Sequence, residues 1–145
     1  MLHFLSYELD LTVQEVLSRE DGLKLCVARD DSGQQWLLYR AAANDNTQVW
    51  LCAPTSGRAV DCVRGGHCSV KDALRHSLTG LVEVVTFGRD GCQDRGVRCT
   101  DIPAELLSAA SWRLGGDEET SRPEPAWPWR RVETGWGNAT SPHCR

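Results

Sequence analysis

The sequence lacks both an excess of positive charge and a long uninterrupted apolar run. Its 145 residues carry 16 lysines and arginines against 20 aspartates and glutamates, a net charge of −4. Nucleic-acid-binding proteins usually show a basic excess or a basic face, so this balance does not indicate nucleic acid as the partner. The apolar start of the chain has no basic leader and is broken by Glu8 and Asp10. We therefore expect a cytoplasmic protein with no signal peptide and no membrane-spanning helix.

Lysine and isoleucine are also scarce, since the chain contains only Lys24, Lys71 and Ile102. Arginine and alanine, whose codons can be GC-rich, are common instead. This balance is typical of a GC-rich bacterial genome, so we expect a bacterial source.

The closely spaced cysteine pairs of most structural zinc sites are missing. The seven cysteines form an odd set without a C-x-x-C pair, which argues against a secreted disulfide scaffold and favours reduced thiols packed as small apolar groups. A structural zinc site built from Cys62, Cys68, Cys92 and Cys99 remains an alternative, although their gaps are longer than such sites usually show. We expect no other cofactor.

Regular apolar patterns cover residues 1–114, and the clearest of them predicts a β-hairpin. Leu23–Arg29 and residues 35–40 are apolar segments of strand length, joined by a polar turn in which Gly33 can take the left-handed conformation. Residues 48–53 follow as a third strand that Pro54 stops. Consecutive strands with short connections predict an antiparallel meander.

Two further segments have strand patterns, and three have helical patterns. Residues 9–14 alternate as in an edge strand, and residues 81–87 form a β-branched run. Helices are predicted at residues 58–64, at residues 70–77 behind a Ser69–Asp72 capping box, and after Pro103. The predicted fold class is α+β, a curved antiparallel sheet of about four or five strands with short helices packed on one face.

Twelve apolar residues at the matching strand and helix positions form the predicted core. They are Leu25, Val27, Leu37, Tyr39, Val49, Leu51, Val60, Val63, Leu74, Val82, Val84 and Leu106.

Residues 115–145 contain few core-forming residues and predict a flexible or docked tail behind a globular domain of residues 1–114. The tail nevertheless contains Trp127, Trp129 and Trp136, with Arg130 and Arg131 between them. Tryptophan and arginine are enriched at binding hot spots, so these five residues are the predicted partner-binding residues.

The best enzymatic candidate is Cys68, which precedes a predicted helix and has His67 and His76 nearby in sequence. A helix N-terminus and a histidine base can together activate a thiol. The ordinary alternative is that Gly65, Gly66 and Ser69 simply connect two helices. We find no serine elbow, phosphate loop or nucleotide fingerprint, and we predict no catalytic residues.

Several segments resemble a set of small uncharacterised bacterial domains. The resemblance covers residues 20–110 and is carried by DGLKLCVARDDSGQQWLLYR, VWLCAPTS, SVKDALRHS and GLVEVVTF. It implies a compact α+β unit that serves as an accessory or interaction module. Our leading hypothesis is therefore a non-catalytic module that binds a protein partner. A cysteine-dependent enzyme or thiol regulator and a zinc-binding protein are the alternatives.

Overall fold

The computed structural model of the chain describes residues 2–20 and 22–114. The predicted tail, with Trp127, Trp129, Arg130, Arg131 and Trp136, lies outside these described residues.

One antiparallel sheet dominates the described part of the chain, and its strands lie side by side in chain order. The strands are β1 (His3–Leu5), β2 (Asp10–Arg19), β3 (Leu23–Arg29), β4 (Gln35–Ala43), β5 (Gln48–Pro54), β6 (Leu81–Gly88) and β7 (Gly91–Arg98). Helices α1 (Gly57–Arg64) and α2 (Val70–Arg75) lie between β5 and β6, and α3 (Ala104–Ser108) follows β7.

The predicted curved antiparallel sheet with short helices is confirmed, but it has seven strands in the described residues rather than about four or five. Strand β1 has three residues, too few for a periodic pattern. Strand β7 is rich in glycine and charge, and half of its residues are exposed to solvent. Its pairing with β6 from Leu81↔Arg98 to Gly88↔Gly91 makes it a strand despite this composition. Strand β2 consequently lies between β1 and β3 instead of at an edge.

Contacts between distant strands show how strongly the sheet curves. The ring centroid of Phe4 on β1 lies 5.3 Å from that of Phe87 on β6 and 5.6 Å from that of Trp50 on β5. Four strands separate β1 from β6 in the sheet order, so these rings can meet only if the sheet curls into a half-barrel. The face that carries them is the concave face.

The convex face holds the core that the sequence predicts. All twelve predicted residues belong to this cluster, ten of them buried and two, Val49 and Leu106, partly buried. Helices α1 and α2 cover the cluster with Val60, Val63, Val70, Ala73 and Leu74.

A second core on the concave face was not predicted. Its buried members include Phe4, Leu11, Cys26, Trp50 and Phe87. Central strands such as β3 and β5 bury residues on both faces, so their apolar runs are nearly continuous and do not show which face is inward. The sheet is thus a shared layer between two apolar clusters.

The helix starts follow the expected local chemistry. Ser69 Oγ accepts from Asp72 N at 3.1 Å, and the Asp72 carboxylate accepts from Ser69 N at 3.3 Å, which confirms the predicted capping box. Ser56 caps α1 in the same way by accepting from Ala59 N at 3.1 Å. Within residues 2–20 and 22–114, no helix has the length and apolar character needed to cross a membrane.

Candidate functional site

A groove opens at one end of the half-barrel. Strands β3 and β5 end there, and strands β4 and β6 begin there. Its volume is about 430 Å³. We call it the mouth groove. Its lining residues are Asp30, Ser32, Gln34, Trp36, Pro54, Thr79, Leu81 and Glu83.

The wall formed by the β3–β4 hairpin is rigidly organised. Asp30 accepts hydrogen bonds from Ser32 N at 2.9 Å, from Gln34 N at 3.1 Å and from Trp36 Nε1 at 3.0 Å. The Ser32 hydroxyl donates to the same carboxylate, and this bond with the others lowers the pKa of Asp30. Asp30 is therefore ionised at neutral pH and holds the Trp36 indole in place at the groove.

Glu83 supplies a second carboxylate on the opposite wall. Burial raises its pKa, and the neighbouring carboxylates of Asp94 and Glu8 raise it further. Among the described residues, no side chain or backbone N–H donates a hydrogen bond to the Glu83 carboxylate, and no cation pairs with it. The Gly96 opposite it in β7 leaves room for the carboxylate, because a Cβ there would come within 2.9 Å of Glu83 Oε2.

Apolar surface borders these carboxylates. The Leu81 side chain lines the groove and is 46% exposed, and Leu78 beside it is 57% exposed. The Leu78 N–H donates to the Pro54 carbonyl at 3.0 Å, which holds this loop against the end of β5. Leu78 and Leu81 therefore give this end of the sheet exposed apolar surface.

The mouth groove therefore combines an aromatic ring, an exposed leucine and two separate carboxylates. Such a surface suits a ligand that carries an apolar side chain together with a cationic one. No group of three or more histidine, cysteine, aspartate or glutamate side chains among residues 2–20 and 22–114 is arranged to hold a metal ion.

The residues of the enzymatic alternative lie in the loop before α2 and at the end of that helix. Cys68 lies just before the N-cap of α2, whereas His76 is the C-cap of the same helix and its Nδ1 lies 2.7 Å from the Asp72 carbonyl oxygen. The exposed His67 ring lies over Gly65, since a Cβ at Gly65 would be 2.7 Å from His67 Cδ2. Cys68 instead interacts directly with Cys62.

The four cysteines of the zinc alternative do not share one location. Cys62 and Cys68 interact near the start of α2. Cys99 packs against the convex core, as Cys68 does. Cys92 is buried in the concave core on the other side of the sheet.

Sequence reasoning did not identify Trp36, Leu81 or Glu83 as site residues. One signal was present, because Glu83 interrupts the otherwise apolar run of residues 81–87. A carboxylate in a strand that is buried on both sides needs an explanation, and here the explanation is an open end of the concave face. The convergence of the hairpin with β5 and β6 depends on sheet curvature, which no local pattern predicts.

Comparison with known proteins leaves the function to be inferred from the site itself, because no protein-family model, curated protein or solved structure matches the chain.

Proposed function

We propose that the chain is a non-catalytic module that binds a protein partner. The mouth groove provides one contact surface, and the tail residues Trp127, Trp129, Arg130, Arg131 and Trp136 provide a second. The tail residues lie outside the described residues, and their inclusion is supported by their chemistry alone.

The observation that carries this proposal is the mouth groove. Its exposed Leu81 lines the groove together with the half-buried Glu83 carboxylate, for which the described residues provide no hydrogen-bond donor or cation. Desolvation of a carboxylate is unfavourable, and an ion pair with a cation offsets this penalty. A basic side chain of a partner therefore fits this position. An adjacent apolar side chain of the same partner would cover Leu81 and Trp36.

We further propose that the module acts in the bacterial cytoplasm as an accessory protein. Five of the six cysteines in the described residues carry free thiols, namely Cys26, Cys52, Cys62, Cys68 and Cys99, whereas Cys92 is disulfide-bonded. Free thiols in this number are typical of a reducing compartment.

The test is quantitative affinity purification of the full chain under matched conditions. Leu81→Ser and Glu83→Lys alter the groove, and a Trp127→Ala/Trp129→Ala double variant alters the tail. We expect each groove variant to weaken capture of the same partner by about 2 kcal/mol, or roughly thirtyfold, as for a hot-spot residue. The double variant should weaken it as well.

Tyr7→Ser is the matched control, because Tyr7 is a large apolar side chain that is 63% exposed but does not line the groove. This control should capture the partner as the wild-type protein does. Equal capture by wild-type protein and all groove and tail variants would contradict the proposal, as would the absence of any enriched partner.

A further inference from the structure

The connection between α1 and α2 brings two cysteines together. Cys62 lies in the last turns of α1, and its carbonyl oxygen accepts from His67 N at 2.9 Å and from Cys68 N at 3.4 Å. The backbone therefore turns back on itself between the two residues. As a result, Cys62 and Cys68 lie next to each other across the turn, close enough for Cys62 to influence the pKa of the Cys68 thiol.

Solvent access distinguishes this pair from the other interacting thiols. Cys62 and Cys68 are both partly exposed, whereas Cys26 and Cys52 are completely buried in the concave core. A small reagent can thus reach Cys62 and Cys68 in the folded protein, but not Cys26 or Cys52.

We propose that Cys62 and Cys68 form a redox-active dithiol that a low-molecular-weight disulfide, such as glutathione disulfide, converts into an intramolecular disulfide bond. This inference is independent of the proposed partner binding. It also differs from the sequence hypothesis, in which a histidine was the partner of Cys68.

The reaction proceeds by two thiol–disulfide exchanges. The Cys62 thiolate attacks one glutathione sulfur, forms a mixed disulfide and releases the first glutathione thiol. Cys68 then loses its proton and attacks Cys62 Sγ, which releases the second glutathione thiol and completes the Cys62–Cys68 bond. Two electrons and two protons pass from the protein to glutathione disulfide, which leaves as two glutathione molecules.

The electrostatics support this order of attack. Burial raises the pKa of Cys68 to about 12, and interaction with Cys62 contributes in the same direction. Cys68 therefore keeps its proton at neutral pH, so we assign the first attack to Cys62 and the second to Cys68. The second step requires deprotonation of Cys68, so disulfide formation should be faster in mildly alkaline buffer.

Peptide mapping tests the proposal directly, because trypsin cleaves after Arg58, Arg64 and Lys71. The full-length reduced protein is incubated with glutathione disulfide, alkylated and digested without reduction. We expect residues 59–64 and residues 65–71 to appear as one cross-linked pair of peptides. Cys68→Ser should instead accumulate glutathione on residues 59–64, whereas Cys62→Ser should leave residues 65–71 largely unmodified.

The same incubation in urea provides the reference rate for an unfolded chain. We expect the native protein to form the Cys62–Cys68 bond at least severalfold faster than the unfolded protein. Alkylation of both cysteines in native protein after prolonged oxidation would overturn the proposal. A rate of disulfide formation in the native protein no greater than the rate in urea would also overturn it. This comparison uses the wild-type protein alone, so it does not depend on the folding of any variant.

Discussion

Two neighbouring residues at the end of β5, Thr55 and Ser56, have hydroxyl groups in opposite situations. Thr55 is 2% exposed, and its Oγ1 has no hydrogen-bond partner among the described residues. Ser56 Oγ caps α1 by accepting from Ala59 N. A buried hydroxyl without a partner lowers the stability of the folded state, whereas a capping hydroxyl raises it.

These two residues give a prediction of opposite sign. We expect Thr55→Val, which keeps the shape and removes the hydroxyl, to raise the free energy of unfolding by about 1 kcal/mol. Ser56→Ala should lower it by about 1 kcal/mol. Urea denaturation of both variants beside the wild type measures the two changes, and a destabilised Thr55→Val variant would show that the hydroxyl has a partner.

Glu83 predicts a pH dependence of stability. Burial, Asp94 and Glu8 raise its pKa in the folded state above the ordinary 4.5. The folded protein therefore holds the Glu83 proton more tightly than the unfolded chain does. The resulting stabilisation is complete below about pH 4.5 and is lost as pH rises through the raised folded pKa.

The variant Glu83→Gln removes this titration while keeping the side-chain shape. We expect it to be more stable than the wild type at neutral pH, with the difference shrinking as pH falls towards 4.5. Urea midpoints measured across this range test the expectation. A difference that stays constant with pH would exclude titration of Glu83 as its source.

At the scale of elements, the β3–β4 hairpin depends on Gly33. Its φ is +88°, in the left-handed region, and a Cβ at this position would meet nothing within 4 Å. Any cost of substitution is therefore conformational instead of steric. Gly57 at the start of α1 is a useful contrast, since its Cβ would make an ordinary contact at 3.6 Å with Gln35 Oε1.

We expect Gly33→Ala to lower the free energy of unfolding by about 1 kcal/mol, because a non-glycine residue resists this conformation. Gly57→Ala should leave stability unchanged or raise it by up to about 1 kcal/mol, since alanine favours the helix. Thermal and urea unfolding of the two variants provide the comparison. Equal effects at both positions would argue against a conformational requirement at Gly33.

The elements also show which parts of the fold are readable from sequence. The hairpin, β5, β6 and the capped helix α2 are predictable because their signals are local, such as Gly33 in a turn or Ser69 three residues before Asp72. Strands β1 and β7 are not, because their strand conformation comes from the neighbour they pair with. The mouth groove is not predictable either, since Trp36 and Glu83 line it together only because β4, β5 and β6 pair side by side.

At the scale of the whole molecule, Asp94 joins the two ends of the sheet. Its carboxylate on β7 accepts hydrogen bonds from the Ser6 hydroxyl and from Glu8 N at 3.0 Å, in the turn after β1. Ser6 is completely buried and also accepts from Leu9 N at 3.0 Å. These bonds hold the half-barrel curved in place of a regular strand ladder.

Removal of this carboxylate should therefore loosen the edge of the sheet. We expect Asp94→Ala to lower the free energy of unfolding by about 1–3 kcal/mol, because it leaves the buried Ser6 hydroxyl without an acceptor. Hydrogen exchange should accelerate mainly in β1 and the start of β2. Gln93→Ala, an exposed neighbour on the same strand, is the control, and an equal loss in both variants would contradict a specific role for Asp94.

The meander order of the strands has a consequence for how the chain folds during synthesis. Each strand pairs with the one made immediately before it, so every new hairpin can zip onto an existing edge as it emerges from the ribosome. Within the described residues, the contacts that close the half-barrel are long-range ones, between Phe4 and Phe87 and between Asp94 and Ser6. Closure of the half-barrel therefore waits for the last two strands, whereas the earlier strand pairs form by short loop closures with a small entropic cost.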